Sequence, residues 1–404
     1  MKRNILVAHG GGPTTVINAS LFGVIDEAMR QSSSGKVFGA IHGVEGVLND
    51  ELIELSSQDQ KQLLLLPYTP ASAIGSCRRK LTDADYPRIL EVLKKHDIGC
   101  FFYNGGNDSM DTCNKIAKLA EASGYDLAVI GIPKTIDNDL ALTDHCPGYG
   151  SAARFIANNT RDLWMEVRAM PMYVTIMETM GRNAGWLTAA GSIPDYDGKP
   201  CAQLVYLPEY AFDENAFLAD VDNLLHKQRE ILIVVSEGLA DENGKMIADL
   251  GIVDGFGHKL AGGAAQALCD KVTARLGVRA RAERHGFLGR CSMIMQSAQD
   301  REEAIAVGRH AVRLAFSGHT GLMAAIRRDS DHPYAWSLTE VPLENVANLE
   351  RKFPLEWINQ GRNGITDEFR TYALPLIGEL ESHCHHMLFL ADGRYIPGNC
   401  LVND

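Results

Sequence analysis

The apolar run Leu127-Ala128-Val129-Ile130-Gly131-Ile132, followed at once by Pro133-Lys134-Thr135-Ile136-Asp137-Asn138-Asp139, decides the fold. Six residues without a charge read as a buried strand, and in open α/β sheets ligands bind just beyond the carboxyl ends of such strands. This strand end carries two carboxylates two residues apart, beside a lysine. A base, a metal ligand and a fixed cation facing one pocket are the parts that phosphoryl transfer requires.

Working outward, two further strand ends are led by glycines: Gly10-Gly11-Gly12-Pro13-Thr14 after Asn4–His9, and Gly105-Gly106-Asn107-Asp108-Ser109 after Ile98–Asn104. Glycines let backbone amides approach an anion, and a helix starting beyond them adds the positive end of its dipole. Each loop alone is weak: the first can be a tight connection, and in the second Asn107, Asp108 or Ser109 can simply cap a helix beginning near Met110. Neither matches a Walker loop, because no GK[ST] follows, and no GxGxxG supports a dinucleotide.

The remaining strand candidates are Lys36–His42, Met172–Met177, Ala202–Leu207, Ile231–Ser236 and Gly321–Ile326. Helical patterns separate them at Val16–Gln31, Tyr86–His96, Asp111–Ala122, Ala152–Ala169, Asp213–Lys227, Gly262–Leu276 and Arg301–Ser317. Strands alternating with helix-length segments predict an α/β protein of two doubly wound, Rossmann-like parallel sheets. The turn-rich His145-Cys146-Pro147-Gly148-Tyr149-Gly150 is the expected domain break, with the site in the cleft between the domains.

Composition sets the outer limits. The chain has 404 residues, 46% hydrophobic and 22% charged, enough for two packed domains. A net charge of −12 argues against a nucleic-acid surface, so an anionic ligand must be held by local cations. No apolar run approaches the span of a bilayer, which predicts no membrane partner. Nine cysteines without a CxxC pair give neither a zinc nor a redox motif, and a cytoplasmic location with reduced thiols is expected. Ser382-His383-Cys384-His385-His386 reads as a polar turn rather than a metal cluster.

Three more segments carry chemistry. Met177-Glu178-Thr179-Met180-Gly181-Arg182-Asn183-Ala184-Gly185 places an arginine fork at another strand end, with Glu178 readable as a helix-start acid. Glu237 follows Ile231–Ser236, where a carboxylate can accept hydrogen bonds from sugar hydroxyls. Arg279, Arg281, Arg284 and Arg290 lie within twelve residues, as a phosphate clamp or as a solvated basic face.

In this order the motifs GGNDS, PKTIDND, METMGR and SEG resemble the phosphofructokinase family, and within it the branch that uses pyrophosphate. ATP users of the family typically have glycine where this chain has Asp108 and Lys134. An acid there repels a nucleotide's α-phosphate, and an ammonium suits the compact pyrophosphate. The resemblance implies reversible, Mg²⁺-dependent phosphorylation of the C1 hydroxyl of fructose 6-phosphate. In it Asp137 is the base, Lys134 and Arg182 stabilise the transferred group, and Asp139 with Asn107 serves the metal. Gly11, Gly12, Arg78, Asn107, Asp108, Ser109 and Lys134 would face pyrophosphate. Thr135, Asp137, Asp139, Met180, Gly181, Arg182, Glu237, Arg281 and Arg290 would line the sugar phosphate. Residues 1–145 with roughly 291–350 would form the donor domain, and 146–290 with roughly 351–404 the sugar domain. A homodimer or homotetramer is expected.

The chain departs from the family pattern at Asn107, which replaces an aspartate, at Gly289 and Phe287 near Arg290, and at Tyr173, where a neighbouring subunit often supplies an arginine. Arg168 is the candidate to substitute for it. Alternatives are an ATP-dependent kinase, a sedoheptulose 7-phosphate phosphotransferase and a non-catalytic regulatory subunit.

Overall fold

A computed structural model of the chain describes residues 3–170, 173–196, 198–253, 259–261, 263–347 and 349–380. The histidine-rich segment 382–386 lies outside the described residues.

The first half runs β1 (Arg3–His9), α1 (Ile17–Arg30), β2 (Ser34–Ala40), β3 (Leu52–Glu54), α2 (Asp85–Lys95), β4 (Ile98–Gly105), α3 (Asn107–Ala122), β5 (Ala128–Pro133) and α4 (Tyr149–Ala169). There follow β6 (Val174–Thr179), β7 (Leu204–Tyr206), α5 (Glu214–Leu225), β8 (Ile231–Ser236), α6 (Ala264–Leu276) and β9 (Ala280–Arg284). The last elements are α7 (Ala298–Phe316), the hairpin β10 (Leu322–Asp331) and β11 (Tyr334–Pro342), and α8 (Asp367–Ile377).

Two sheets result. The larger has the order β11-β10-β5-β4-β1-β2-β3, and the smaller β9-β6-β8-β7. Pairings of β1 with β2 and β4, of β4 with β5 and of β5 with β10 are parallel, as are all those of the smaller sheet. Within these two sheets only the edge pairings β2–β3 and β10–β11 are antiparallel. Residues Ile5 to Ala8 of β1 and Ile231 to Val235 of β8 are fully buried, as strands covered by helices on both faces must be.

Chain order in the sheets fixes where ligands can sit. From β1 the chain moves outward to β2 and β3, then returns to the other side of β1 with β4 and β5. The smaller sheet repeats this about β6, with β8 on one side and β9 on the other. Each reversal opens a crevice at the strand carboxyl ends. Those ends carry Gly10–Gly12, Gly105–Gly106 and Lys134–Asp139 in the larger sheet, and Met180–Arg182 and Glu237 in the smaller.

Each sheet has a core on either face. Phe101, Tyr103 and Ile89 lie on one side of the larger sheet; Phe102, Ile130 and Val307 of α7 lie on the other. Trp186, Tyr149, Phe353, Phe369 and Tyr372 fill one face of the smaller sheet, with Phe217 and Leu268 on its opposite face. The aromatic group includes α8, so residues far along the chain pack against the segment that follows β5.

Several elements depart from expectation. The segment holding Arg281 and Arg284 contains strand β9, whose Ala280 and Ala282 meet the core while Arg281 is exposed. Alternating alanine with arginine gives too little apolar contrast for the two-residue period to show. Strand β10 continues past Ile326 to Asp331 and folds back as β11, because its second half is polar and sits at the sheet edge. Helix α3 starts at Asn107, directly after Gly106, rather than at Asp111, and β6 runs two residues beyond its expected end to Thr179.

Candidate active site

The glycine loops are bolted to their neighbours before any ligand arrives. Gly10 N–H donates to the Asn104 carbonyl and Gly11 N–H to that of Cys77, each at 2.9 Å, while Ser76 Oγ donates to the Gly11 carbonyl at 2.7 Å. Two of the three glycine amides are therefore spent on protein. Ser109, expected to face the donor, is buried, with its hydroxyl where side chains on Gly10 and Gly105 would stand. That contact presses the two loops together and requires glycine at both positions. Helix α1 begins only at Ile17, so its dipole does not bear directly on Gly12, whereas α3 begins right behind Gly106.

Side chains supply the positive charge. A Cβ added to Gly12 would lie 2.6 Å from Arg290 Nη1 and 3.3 Å from Arg78 Nη2; one on Gly11 would meet Lys134 Nζ at 3.2 Å. Lys134 Nζ donates to the Gly12 carbonyl at 2.8 Å. Three cations thus converge on one glycine turn, and Arg290 rests 4.5 Å above the Phe287 ring. Burial, and then the Arg290 guanidinium, bring the Lys134 pKa down to about 7 against the pull of Asp137 and Asp139. Burial and Arg78 hold Arg290 below its usual value in the same way. Cations that depress one another's ionisation in a cleft of an acidic protein are poised for a multiply charged anion.

The carboxylates lie on the other side of Lys134. Thr135 Oγ1 accepts the Asp137 N–H at 3.0 Å and shapes the turn. Burial, then Glu237, push the Asp137 carboxyl above its ordinary range, opposed by Lys134, Arg182 and Arg78. Asp139 is likewise raised, by burial, by Asp137 and by Glu350. Glu237 is raised by burial and by Glu178, and it accepts the Gly181 N–H. The groups acting on Asp137 come from both sheets: Lys134 and Arg78 from the larger, Glu237 and Arg182 from the smaller. The two crevices are therefore one site.

A hard divalent cation fits here by the chemistry of the donors. Asn107 Nδ2 donates to Asp139 Oδ2 at 3.1 Å, and Asn107 Oδ1 is buried without a hydrogen-bond partner beside it. Oxygen donors numbering one or two, with the rest of the shell left to water and phosphate, are what Mg²⁺ takes. Arg182 Nε is also buried and unpartnered.

Other expected residues lie elsewhere or have other contacts. Asp108 is exposed on the first turn of α3. Arg281 projects from the edge strand β9 and pairs with Glu283 at 2.7 Å. Glu178 stands within strand β6 and not at the start of a helix of its own segment; its carboxylate accepts the N–H groups of Gly263 and Ala265 at 3.1 and 3.0 Å, at the start of α6. Arg168 stacks on Tyr196 at 4.4 Å, and Tyr173 lies under Arg229.

Sequence reading missed His9 and Glu350. His9 is fully buried at the end of β1, its Nδ1 2.8 Å from Ser72 Oγ, and burial with the nearby Lys134 drives its pKa down to about 3. It is therefore a neutral imidazole among cations. Glu350 reaches Asp139 because residue 350 bridges to Leu140, and it also accepts from Asn183 Nδ2 at 2.6 Å. No local motif marks either residue.

Residues 4–315 match the phosphofructokinase family model. The chain is 44% identical to a pyrophosphate–fructose 6-phosphate 1-phosphotransferase of Xanthomonas campestris, over 93% of this chain and 91% of that one. A protein of the same name from Methylococcus capsulatus is 41% identical over the same shares. Among solved structures, a pyrophosphate-dependent phosphofructokinase from Marinobacter aquaeolei superposes with a TM-score of 0.85 at 39% identity, covering 94% of this chain and 93% of that one. With its two switch-point crevices joined around the Lys134–Asp139 turn, the chain belongs to the phosphofructokinase family.

Proposed function

We propose that the chain transfers a phosphoryl group from pyrophosphate to the C1 hydroxyl of fructose 6-phosphate, reversibly, giving fructose 1,6-bisphosphate and phosphate. The observation that carries this is the meeting of Lys134, Arg78 and Arg290 at Gly11 and Gly12, with the Asp137 carboxylate directly beyond them. The relatives' names support the same donor and acceptor.

In this reading Asp137 accepts the C1 hydroxyl proton as the oxygen attacks phosphorus, and the anhydride P–O bond breaks to release phosphate. Lys134, Arg78 and Arg290 hold charge on the departing phosphate, and Arg182 holds it on the transferred group. Thr135, Met180 and Gly181 line the sugar, and Glu237 accepts its hydroxyls. Arg281 is left to take the 6-phosphate, whereas Arg290, expected beside it from the resemblance, faces Gly12 on the donor side. Asp139 and Asn107 would hold Mg²⁺, which when bound neutralises phosphate oxygens. Exposed at the donor end, Asp108 repels a nucleotide's longer phosphate chain. The larger sheet with α7, β10 and β11 forms the donor domain and the smaller sheet with α8 the sugar domain.

The enzyme would work in the cytoplasm as a homodimer or homotetramer. Seven described cysteines are free thiols, which suits a reducing compartment. Phe287, Leu288 and Ile294 expose apolar surface beside the site, which favours self-association. Among the described residues no helix is long and apolar enough to cross a membrane.

Turnover of fructose 6-phosphate with pyrophosphate, ATP or polyphosphate as donor, each with Mg²⁺, tests the proposal. Activity confined to pyrophosphate is expected; equal or better rates with ATP would refute the donor, and inactivity of the purified chain with every donor would leave a non-catalytic subunit.

A further inference from the structure

The catalytic turn is strained, and what holds it comes from far along the chain. Asn138, between Asp137 and Asp139, has φ of +55°, in the left-handed region that asparagine tolerates better than most residues. It is wholly buried. Its Oδ1 accepts the Cys146 N–H at 3.0 Å, and its Nδ2 donates to Tyr372 Oη at 2.8 Å. The Tyr372 hydroxyl in turn donates to the Asp144 carbonyl at 2.9 Å. Every polar atom of the Asn138 side chain is thus engaged, and one partner lies on α8.

A second contact acts on the other flank. Arg351 N–H donates to the Asp139 carbonyl at 2.7 Å, and its guanidinium donates to the carbonyl of Asp144. The guanidinium lies 4.4 Å over the Trp186 ring and 5.8 Å from that of Tyr372, whose rings are themselves 5.3 Å apart. Arg328 from β10 donates to the Tyr372 carbonyl at 3.0 Å, so the tyrosine is fixed at both ends. Nothing in this chain of contacts touches the cleft side of Asp137 or Asp139. Its one evident product is the orientation of the backbone between them.

We propose that Tyr372, with Arg351, is a positioning residue: through Asn138 and the Asp139 carbonyl it aims the two carboxylates of the turn at the reacting atoms. This rests on the phosphoryl-transfer reading given above. A backbone held in an uncommon conformation by buried, fully satisfied contacts is how a site fixes reacting groups in advance. Losing the hydroxyl leaves Asn138 Nδ2 without its acceptor in a closed interior, and the turn relaxes toward another conformation.

The test is a double-mutant cycle of Tyr372→Phe and Asn138→Gly, assayed for kcat and for both KM values, with thermal unfolding measured alongside. Glycine accepts the positive φ, so the second variant removes the bonds to Tyr372 and Cys146 without adding strain. Tyr372→Phe is expected to lower kcat about 10- to 100-fold, with KM for fructose 6-phosphate and pyrophosphate changed less than threefold. The double variant should be little worse than Asn138→Gly alone, since the bond that Tyr372→Phe removes is one of the two already lost with the Asn138 side chain. A folded Tyr372→Phe protein with unchanged kcat overturns the proposal, as do strictly multiplicative losses. Wild-type protein without turnover would instead remove the underlying reaction, and the positioning role with it.

Discussion

The two sides of the cleft, which we propose take pyrophosphate and the sugar phosphate, are built by the same rule and finished differently. At Gly10 and Gly11 the backbone amides are spent on protein carbonyls, and three side-chain cations gather at Gly11 and Gly12, so this side of the cleft is strongly charged. Around Met180 to Arg182 and Glu237 an acid and an arginine face each other, and the arginine Nε has no partner. A small inorganic anion is recognised by charge density in fixed geometry, whereas a sugar phosphate needs a mixture of donors and acceptors. The smaller sheet also ends on an open edge strand that holds Arg281, while Lys134 on the other side is buried.

Breaking the turn between the two sides should have the largest effect. Asp137→Ser removes the base, and kcat is expected to fall about 10²- to 10⁴-fold with KM values little changed. Near-normal turnover would exclude Asp137 as base. Next, Asp108→Gly combined with Lys134→Gly should reduce pyrophosphate turnover about 10²-fold or more and open the donor end to ATP. A variant equally poor with both donors would show that charge at these two positions does not select the donor.

Arginines on the two sides should separate cleanly. Arg290→Ala is expected to cost about 10- to 100-fold in kcat/KM for pyrophosphate, the scale of a charged hydrogen bond lost from a desolvated site. Arg281→Ala should leave the pyrophosphate KM within about twofold, because its guanidinium projects from an exposed edge strand. Equal donor defects in both variants would contradict the placement of Arg290 at the glycine turn.

The pH profile gives the mildest probe. Lys134 must be protonated to hold phosphate, and its pKa in the free protein is lowered to about 7, so kcat/KM for pyrophosphate should fall as pH rises through that value. On the acid side the Asp137–Asp139 pair, raised by burial and mutual repulsion, must lose a proton, so activity should fall as pH drops while still above the ordinary carboxylate range. Replacing Lys134 by Arg should move the alkaline limb upward by removing its titration; an unmoved limb would assign it to another group.

The stretch from Leu127 to Asp139 determined a good deal by itself. An uninterrupted apolar strand ending in charged residues can satisfy both its burial and its chemistry only at the rim of a covered parallel sheet, and the alternating elements around it leave few other folds. Glycines before Asn107 and after His9 were legible for the same reason, since local backbone freedom is written in residue type. Where the meaning depends on what lies opposite, local sequence fell short. Ser109 reads as a ligand contact but fills space against Gly10 and Gly105; Ala280–Arg284 reads as a basic cluster but is a strand; Glu350, Arg351 and Tyr372 carry no motif and yet meet the Asp137–Asp139 turn. Side-chain direction, the enclosure of a charge and contacts across more than two hundred residues are set by packing, because burial and electrostatic coupling belong to the assembled interior and have no value in the extended chain.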